Sequence, residues 1–127
     1  VWLEVVVLVI PTISDDLVKM KELLRWVKRS LGAEVPVHFD RFWPAYQLTN
    51  LPQTAQRTLE EARALALSEG LRHAYVGNLP GHWAANTTCP KCQKVLVRRV
   101  AFMVTENKLA GGKCPFCRQA IPGVWKA

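Results

Sequence analysis

The feature that most constrains this chain is a pair of tight cysteine motifs, Cys89-Pro90-Lys91-Cys92 and Cys114-Pro115-Phe116-Cys117, with 21 residues between them. These are all the cysteines the 127-residue chain has. Two C-x-x-C turns at this spacing read as a single metal site, because each turn presents two sulfurs and the two together form a tetrahedral cage. Zinc suits such a cage, since a d¹⁰ ion has no geometric preference against a tetrahedron. Iron in the rubredoxin manner fits the same four sulfurs. Two disulfides are the alternative, disfavoured in a reducing compartment. A redox pair needs one C-x-x-C at a helix start rather than two matched knuckles. Four thiolates fill the coordination shell, so the site reads as structural. Gln93 and Arg118 stand where such knuckles usually carry glycine, which predicts strained turns. Between the knuckles, residues 94–104 are rich in Val, Leu and Phe and read as a strand or hairpin, with Asn107 and Gly111-Gly112 as turn formers. Residues 80–127 are therefore expected to form a small zinc-ribbon or rubredoxin-like β domain.

Charge divides the chain at about the same place. The net charge is +7, yet residues 1–81 carry nine Lys/Arg against nine Asp/Glu, so the excess lies in the tail with Glu106 as its only acid. A divalent ion held by four thiolates would bring the whole chain nearer +5. Lys91, Lys94, Arg98, Arg99, Lys108, Lys113, Arg118 and Lys126 are interleaved with Phe102, Phe116 and Trp125. Basic residues alternating with aromatics can hold phosphates and stack bases. These aromatics are too few to line a long strand of nucleic acid, so a solvated basic face is the preferred reading.

Residues 1–79 read as strand, helix, strand, helix, strand. Residues 1–10 are almost continuously apolar, as in a parallel strand covered on both faces, and Pro11 ends them. Ser14 or Asp15 offers a helix cap. Leu17, Met20, Leu24, Val27 and Leu31 form one apolar stripe, and Gly32 supplies a stop. Residues 35–42 read as a second strand. Thr54 is expected to cap a second helix running to Ser68, with Gly70 as its stop, and residues 71–76 give a third strand. Such alternation implies parallel βαβ units with right-handed crossovers. Three strands leave one sheet face without helices, and the tail, a partner or further chain must cover it. The fold class expected is therefore α/β: a partial parallel (βα) barrel segment of order β-α-β-α-β, then the cysteine ribbon. His38 and His73 read as satisfied core histidines, and His82 as a surface residue. No paired carboxylates or nucleophile–histidine arrangement stands out. All three strands place polar or aromatic groups at one rim: residues 11–15, Arg41 to Trp43, and Gly77-Asn78. In parallel folds that rim is where ligands bind. The apolar run is too short to span a membrane, and no signal peptide is evident, so a cytoplasmic protein is expected.

Several segments resemble a known family. Val9-Ile10-Pro11 with Ser14-Asp15, then Pro36-Val37-His38-Phe39, Arg41-Phe42 and Pro44, resemble the C-terminal half of radical-SAM enzymes related to the pyruvate formate-lyase activating enzyme. Tyr75-Val76-Gly77-Asn78, Pro80-Gly81, Asn86-Thr87, both knuckles and Ile121-Pro122-Gly123-Val124-Trp125 look like the C-terminal extension of the AmmeMemoRadiSam-system branch. The resemblance implies a partial barrel that binds a [4Fe-4S] cluster and S-adenosylmethionine and generates a 5′-deoxyadenosyl radical. The cluster motif C-x-x-x-C-x-x-C is absent, so the chain matches only the last strands and the tail, and is expected to be inactive alone. By resemblance, Val6, Leu8, Arg41 and Trp43 would line the S-adenosylmethionine pocket, although position 43 is often His in similar sequences. The partner implied is the missing barrel half or a separate cluster-bearing chain, or self-association. The alternative is a stand-alone zinc-ribbon module that binds nucleic acid or a protein partner.

Overall fold

The computed structural model describes residues 1–125; Lys126, counted above among the basic residues, lies outside them. The chain is mixed α/β, with one parallel and one antiparallel sheet. The elements run β1 (Val5–Val9), α1 (Leu17–Leu31), β2 (Val37–Arg41), α2 (Gln56–Ser68) and β3 (Ala74–Val76). A short 3₁₀ turn (Trp83–Ala85) leads to β4 (Thr87–Thr88), β5 (Val95–Val100) and β6 (Met103–Asn107). The first sheet is parallel in the order β1-β2-β3, the second antiparallel in the order β4-β5-β6.

Side-chain alternation explains how the parallel sheet is built. Val9, Val37, Phe39, Ala74 and Val76 point to one face and are buried beneath Met20, Leu24 and Val27 of α1 and Leu59, Ala62 and Ala66 of α2. The small alanines let α2 approach the strands closely. The opposite face carries Val6, Leu8, His38, Asp40 and Tyr75. Val6 and Leu8 are 62% and 47% exposed, so the apolar run expected to be covered on both faces is covered on one. The strands are also shorter than the sequence pattern implies. The β1–β2 ladder opens where Val5 N–H bonds Pro36 and closes at the Val9–Arg41 pair, beyond which a turn at Ile10 takes over.

Short polar side chains fasten the ends of these strands instead of capping helices where expected. Ser14 accepts from Ile10 N–H and donates to the Leu8 carbonyl, and Asp15 accepts from Thr12 N–H. The cap of α1 is consequently Asp16, whose carboxylate accepts from Val18 and Lys19 N–H. Gly32 ends that helix with φ near +104°, as its position implies. Thr54 does not cap α2, which starts after Ala55 without a side-chain cap. Its hydroxyl lies fully inside, donating to the Val9 carbonyl and accepting from Phe42 N–H at 2.8 Å. It thus ties β1 to the end of β2. Thr54→Val keeps the shape and strands two buried backbone groups, so it is expected to cost about 1–3 kcal/mol in urea unfolding. A loss under 0.5 kcal/mol would show that the tie is dispensable.

In the second sheet, β5 and β6 form a hairpin whose tip, Ala101 and Phe102, is exposed at Phe102. Gly111 and Gly112, both at positive φ, make the two-residue turn read from the sequence, bridged by Ala110 and Lys113. His82 is buried, contrary to the expected surface position. Its Nδ1 accepts from Ala84 N–H and its Nε2 meets Glu60 at 2.8 Å, which pins the 3₁₀ turn to α2.

Candidate metal centre and the open sheet face

The two knuckles fold alike. In the first, Cys89 N–H bonds the Lys94 carbonyl and Gln93 N–H bonds the Cys89 carbonyl, both at 2.9 Å. In the second, Cys114 N–H bonds the Gln119 carbonyl at 2.8 Å and Arg118 N–H bonds the Cys114 carbonyl at 2.9 Å. Each turn closes through a residue in the left-handed region, Gln93 at φ 61° and Arg118 at φ 66°. These are the positions where glycine would be unstrained. Gln93→Gly with Arg118→Gly is expected to relieve about 1 kcal/mol per site, less the extra freedom glycine brings to the unfolded chain. The measurement is the chelator concentration needed to unfold the tail, which should rise in the double variant and fall only if the strain is absent.

The knuckles bring Cys89, Cys92, Cys114 and Cys117 together, with all four sulfurs within 4.8 Å of one another. All four are free thiols. Cys89 Sγ lies 3.5 Å from Cys117 Sγ, and Cys92 Sγ lies 3.7 Å from Cys114 Sγ. Four sulfurs each about 2.3 Å from a central ion would lie about 3.8 Å apart, so the geometry fits a tetrahedral thiolate site. This group can hold a metal ion. The electrostatics agree. Burial pushes the Cys114 thiol up, but the N–H groups of Cys117 and Phe116 outweigh it and bring it to about 7. The Gln119 N–H favours the Cys117 thiolate, yet burial and the thiols of Cys89, Cys114 and Cys92 push it up to about 12. Four thiolates cannot share this space without a cation, which is what a metal supplies. Leu96, Val97 and Ile121 are buried beside Cys89 and Cys114, and no larger apolar core supports this sheet among the described residues. Lys94 Nζ sits 4.2 Å from the centre of the Phe116 ring, linking the first knuckle to the second.

The helix-free face of the parallel sheet is the second cluster. Glu4 accepts from Trp2 Nε1 and meets His38 Nε2, each at 2.7 Å. The His38 ring stacks on Tyr75 at 4.9 Å, and the Tyr75 hydroxyl lies 3.2 Å from Thr87 Oγ1. His38 is therefore a partnered, partly open residue rather than a core one. His73 is buried as expected, and burial holds its imidazolium below the usual range against the pull of Glu34. Burial raises Asp40, with His38 opposing.

Of the residues expected to line a cofactor pocket, Val6 and Leu8 lie on this open face. Arg41 and Trp43 lie at the rim, with the Arg41 guanidinium 5.3 Å from the centre of the Trp43 ring. The two pairs do not share one surface. Arg41 Nε is buried without a hydrogen-bond partner among the described residues. Asn78 pairs with both backbone groups of Arg41, donating to its carbonyl at 2.9 Å and accepting from its N–H. Sequence reasoning missed Glu4, Asp40 and Tyr75. The signal was available: in β2 and β3 the residues between the buried ones, His38, Asp40 and Tyr75, are charged or hydrogen-bonding. No helix among the described residues is long and apolar enough to cross a membrane.

Over 123 residues, which is 95% of its length, the chain is 39% identical to an uncharacterized protein of Methanocaldococcus jannaschii. It spans 37% of that protein's length. No protein-family profile matches the chain. No solved structure matches it, and the metal-competent cluster stands on the geometry of its own four sulfurs.

Proposed function

We propose that residues 1–79 are the closing βαβαβ segment of a radical-SAM-type partial barrel, and that residues 80–127 are a ribbon holding one structural zinc or iron ion. The observation that carries this reading is the one-sidedness of the parallel sheet. Both crossover helices lie on one face, and the other presents a mixed apolar and ionisable surface on which Val6 and Leu8 stand exposed. A slice through a barrel wall has this arrangement. Val6 and Leu8 would meet S-adenosylmethionine from β1. Arg41 and Trp43 would meet it from the rim, a different surface from that of Val6 and Leu8, so the ligand would have to reach over the strand ends. When bound to its cluster and reduced, that cofactor supplies a 5′-deoxyadenosyl radical. Nothing in this chain can ligate the cluster, because its only cysteines are the knuckle four. An ion held by all four thiolates would have no open coordination position and would stabilise the fold.

The test is reductive cleavage. After anaerobic reconstitution with iron and sulfide, the longer Methanocaldococcus jannaschii relative is expected to release 5′-deoxyadenosine from S-adenosylmethionine on dithionite reduction. This chain alone is expected to release none and to carry one equivalent of zinc or iron. Cleavage by this chain alone, or a relative that neither builds a cluster nor cleaves, overturns the reading.

A further inference from the structure

A half-open cavity of about 600 Å³ lies between the helix-free sheet face and the C-terminal sheet. Its floor is His38, Asp40 and Tyr75, and its walls include Trp2, Phe102 and Trp125. Most of its charged groups are already satisfied within the chain. Glu4 is held by Trp2 and His38. Arg99 Nη1 donates to the Ala85 carbonyl at 3.1 Å and to Thr87 Oγ1 at 2.8 Å, and the guanidinium lies 5.9 Å from the Tyr75 ring centre. Asp40 is different. It has no hydrogen-bond or ion-pair partner among the described residues, although it sits on the central strand. Its carboxylate occupies the space beside Gly77, and a Cβ on Gly77 would collide with it.

We propose that this cavity binds a small organic cation, a flat ring carrying a primary amine, with the amine on Asp40 and the ring among Trp2, Phe102 and Trp125. Three observations select that class. A carboxylate without a partner in a partly desolvated cavity calls for a cation or a strong donor. Aromatic walls favour a flat organic cation over a hydrated ion. A metal ion is disfavoured, because the four cysteines are the only group of metal-ligating residues that converges among the described residues; Glu4, His38 and Asp40 do not. Arg99 spends Nη1 on the Ala85 carbonyl and the Thr87 hydroxyl, and a carboxylate probe tests whether its other N–H groups take an anion instead. The inference goes beyond the barrel reading and does not need it, because this chain alone supplies both walls; Val6, assigned above to S-adenosylmethionine, lines the cavity edge, so competition between the two ligands is measured.

Tryptamine is a suitable probe, with indole-3-propionate as its carboxylate counterpart, titrated into the metal-loaded chain by calorimetry and amide NMR. Saturable tryptamine binding is expected to shift the Asp40, Gly77 and Trp125 resonances, with indole-3-propionate at least tenfold weaker. Asp40→Asn is expected to lower tryptamine affinity at least tenfold. Gly77→Ala, which keeps the charge but displaces the carboxylate, should lower it severalfold and covers the case in which Asp40→Asn fails to fold. Equal binding of both probes, shifts confined to other surfaces, or no saturation at millimolar tryptamine overturns the assignment. Displacement of tryptamine by micromolar S-adenosylmethionine overturns it as a separate site, while failure of reductive cleavage in the relative leaves these outcomes unchanged.

Discussion

Cys114→Ser is expected to release the metal and unfold the C-terminal sheet while the parallel sheet stays folded. Cys114 is fully buried, and its sulfur faces Cys92 at 3.7 Å. Two of the five residues in the core of this sheet, Cys89 and Cys114, belong to the cysteine group that can hold a metal ion. An ion held there would be the centre around which Leu96, Val97 and Ile121 pack, and losing a sulfur would take it away. Structural zinc contributes on the order of 10 kcal/mol to domains of this size, well above what three apolar side chains can replace. Hydrogen exchange reads the result by segment. Amides of β5 and β6 should lose protection by several orders of magnitude, while those of β2 should keep theirs. Metal content should fall from one equivalent to near zero. Full protection of β5 in the serine variant would show that the sulfurs do not organise the sheet.

The second large effect belongs to the other core. Phe39 is the largest fully buried side chain of the protein and sits on the central strand beneath both helices. Phe39→Ala should cost about 3–5 kcal/mol, a large part of the 5–15 kcal/mol that holds a typical domain together. Phe39→Leu, which retains most of the volume, should cost about 1.5 kcal/mol or less. Urea titration followed at α-helical wavelengths measures both. The metal should stay bound through the Phe39→Ala transition, because no cysteine packs against this residue. A loss below 1 kcal/mol would mean that the helices do not close on the sheet as described.

The two cores were not equally readable in the sequence. The knuckles were readable because their chemistry is local: a C-x-x-C turn places its sulfurs whatever surrounds it. The order β1-α1-β2-α2-β3 was readable from the apolar stripe of Leu17 to Leu31 and from the glycine stop at Gly32. Strand ends were not, because they are set by partners distant in sequence. The hydroxyls of Ser14 and Thr54 looked like helix caps, since a hydroxyl ahead of a helix usually is one. In the folded chain they bond β1 and the end of β2, and that competition is decided by tertiary structure. His82 was misplaced for the same reason, since only the packing of α2 against the 3₁₀ turn brings Glu60 to it. The carboxylate of Asp40 was hidden because its meaning depends on Gly77, 37 residues later.

The first strand pairs with β2 along one side only, and the backbone N–H and C=O groups of its other side have no neighbouring strand among the described residues. The segment Val5 to Ile10 contains no charge, no proline and no glycine, and two of its side chains already stand open. An uncharged border of this kind, where Ser14 engages only the Leu8 carbonyl and Ile10 N–H, is a template for the same segment of another molecule. Concentrated preparations of the isolated polypeptide are therefore expected to stack into cross-β fibres, read by a rise in thioflavin fluorescence. A single lysine introduced at Val6 would serve as the gatekeeper the border lacks.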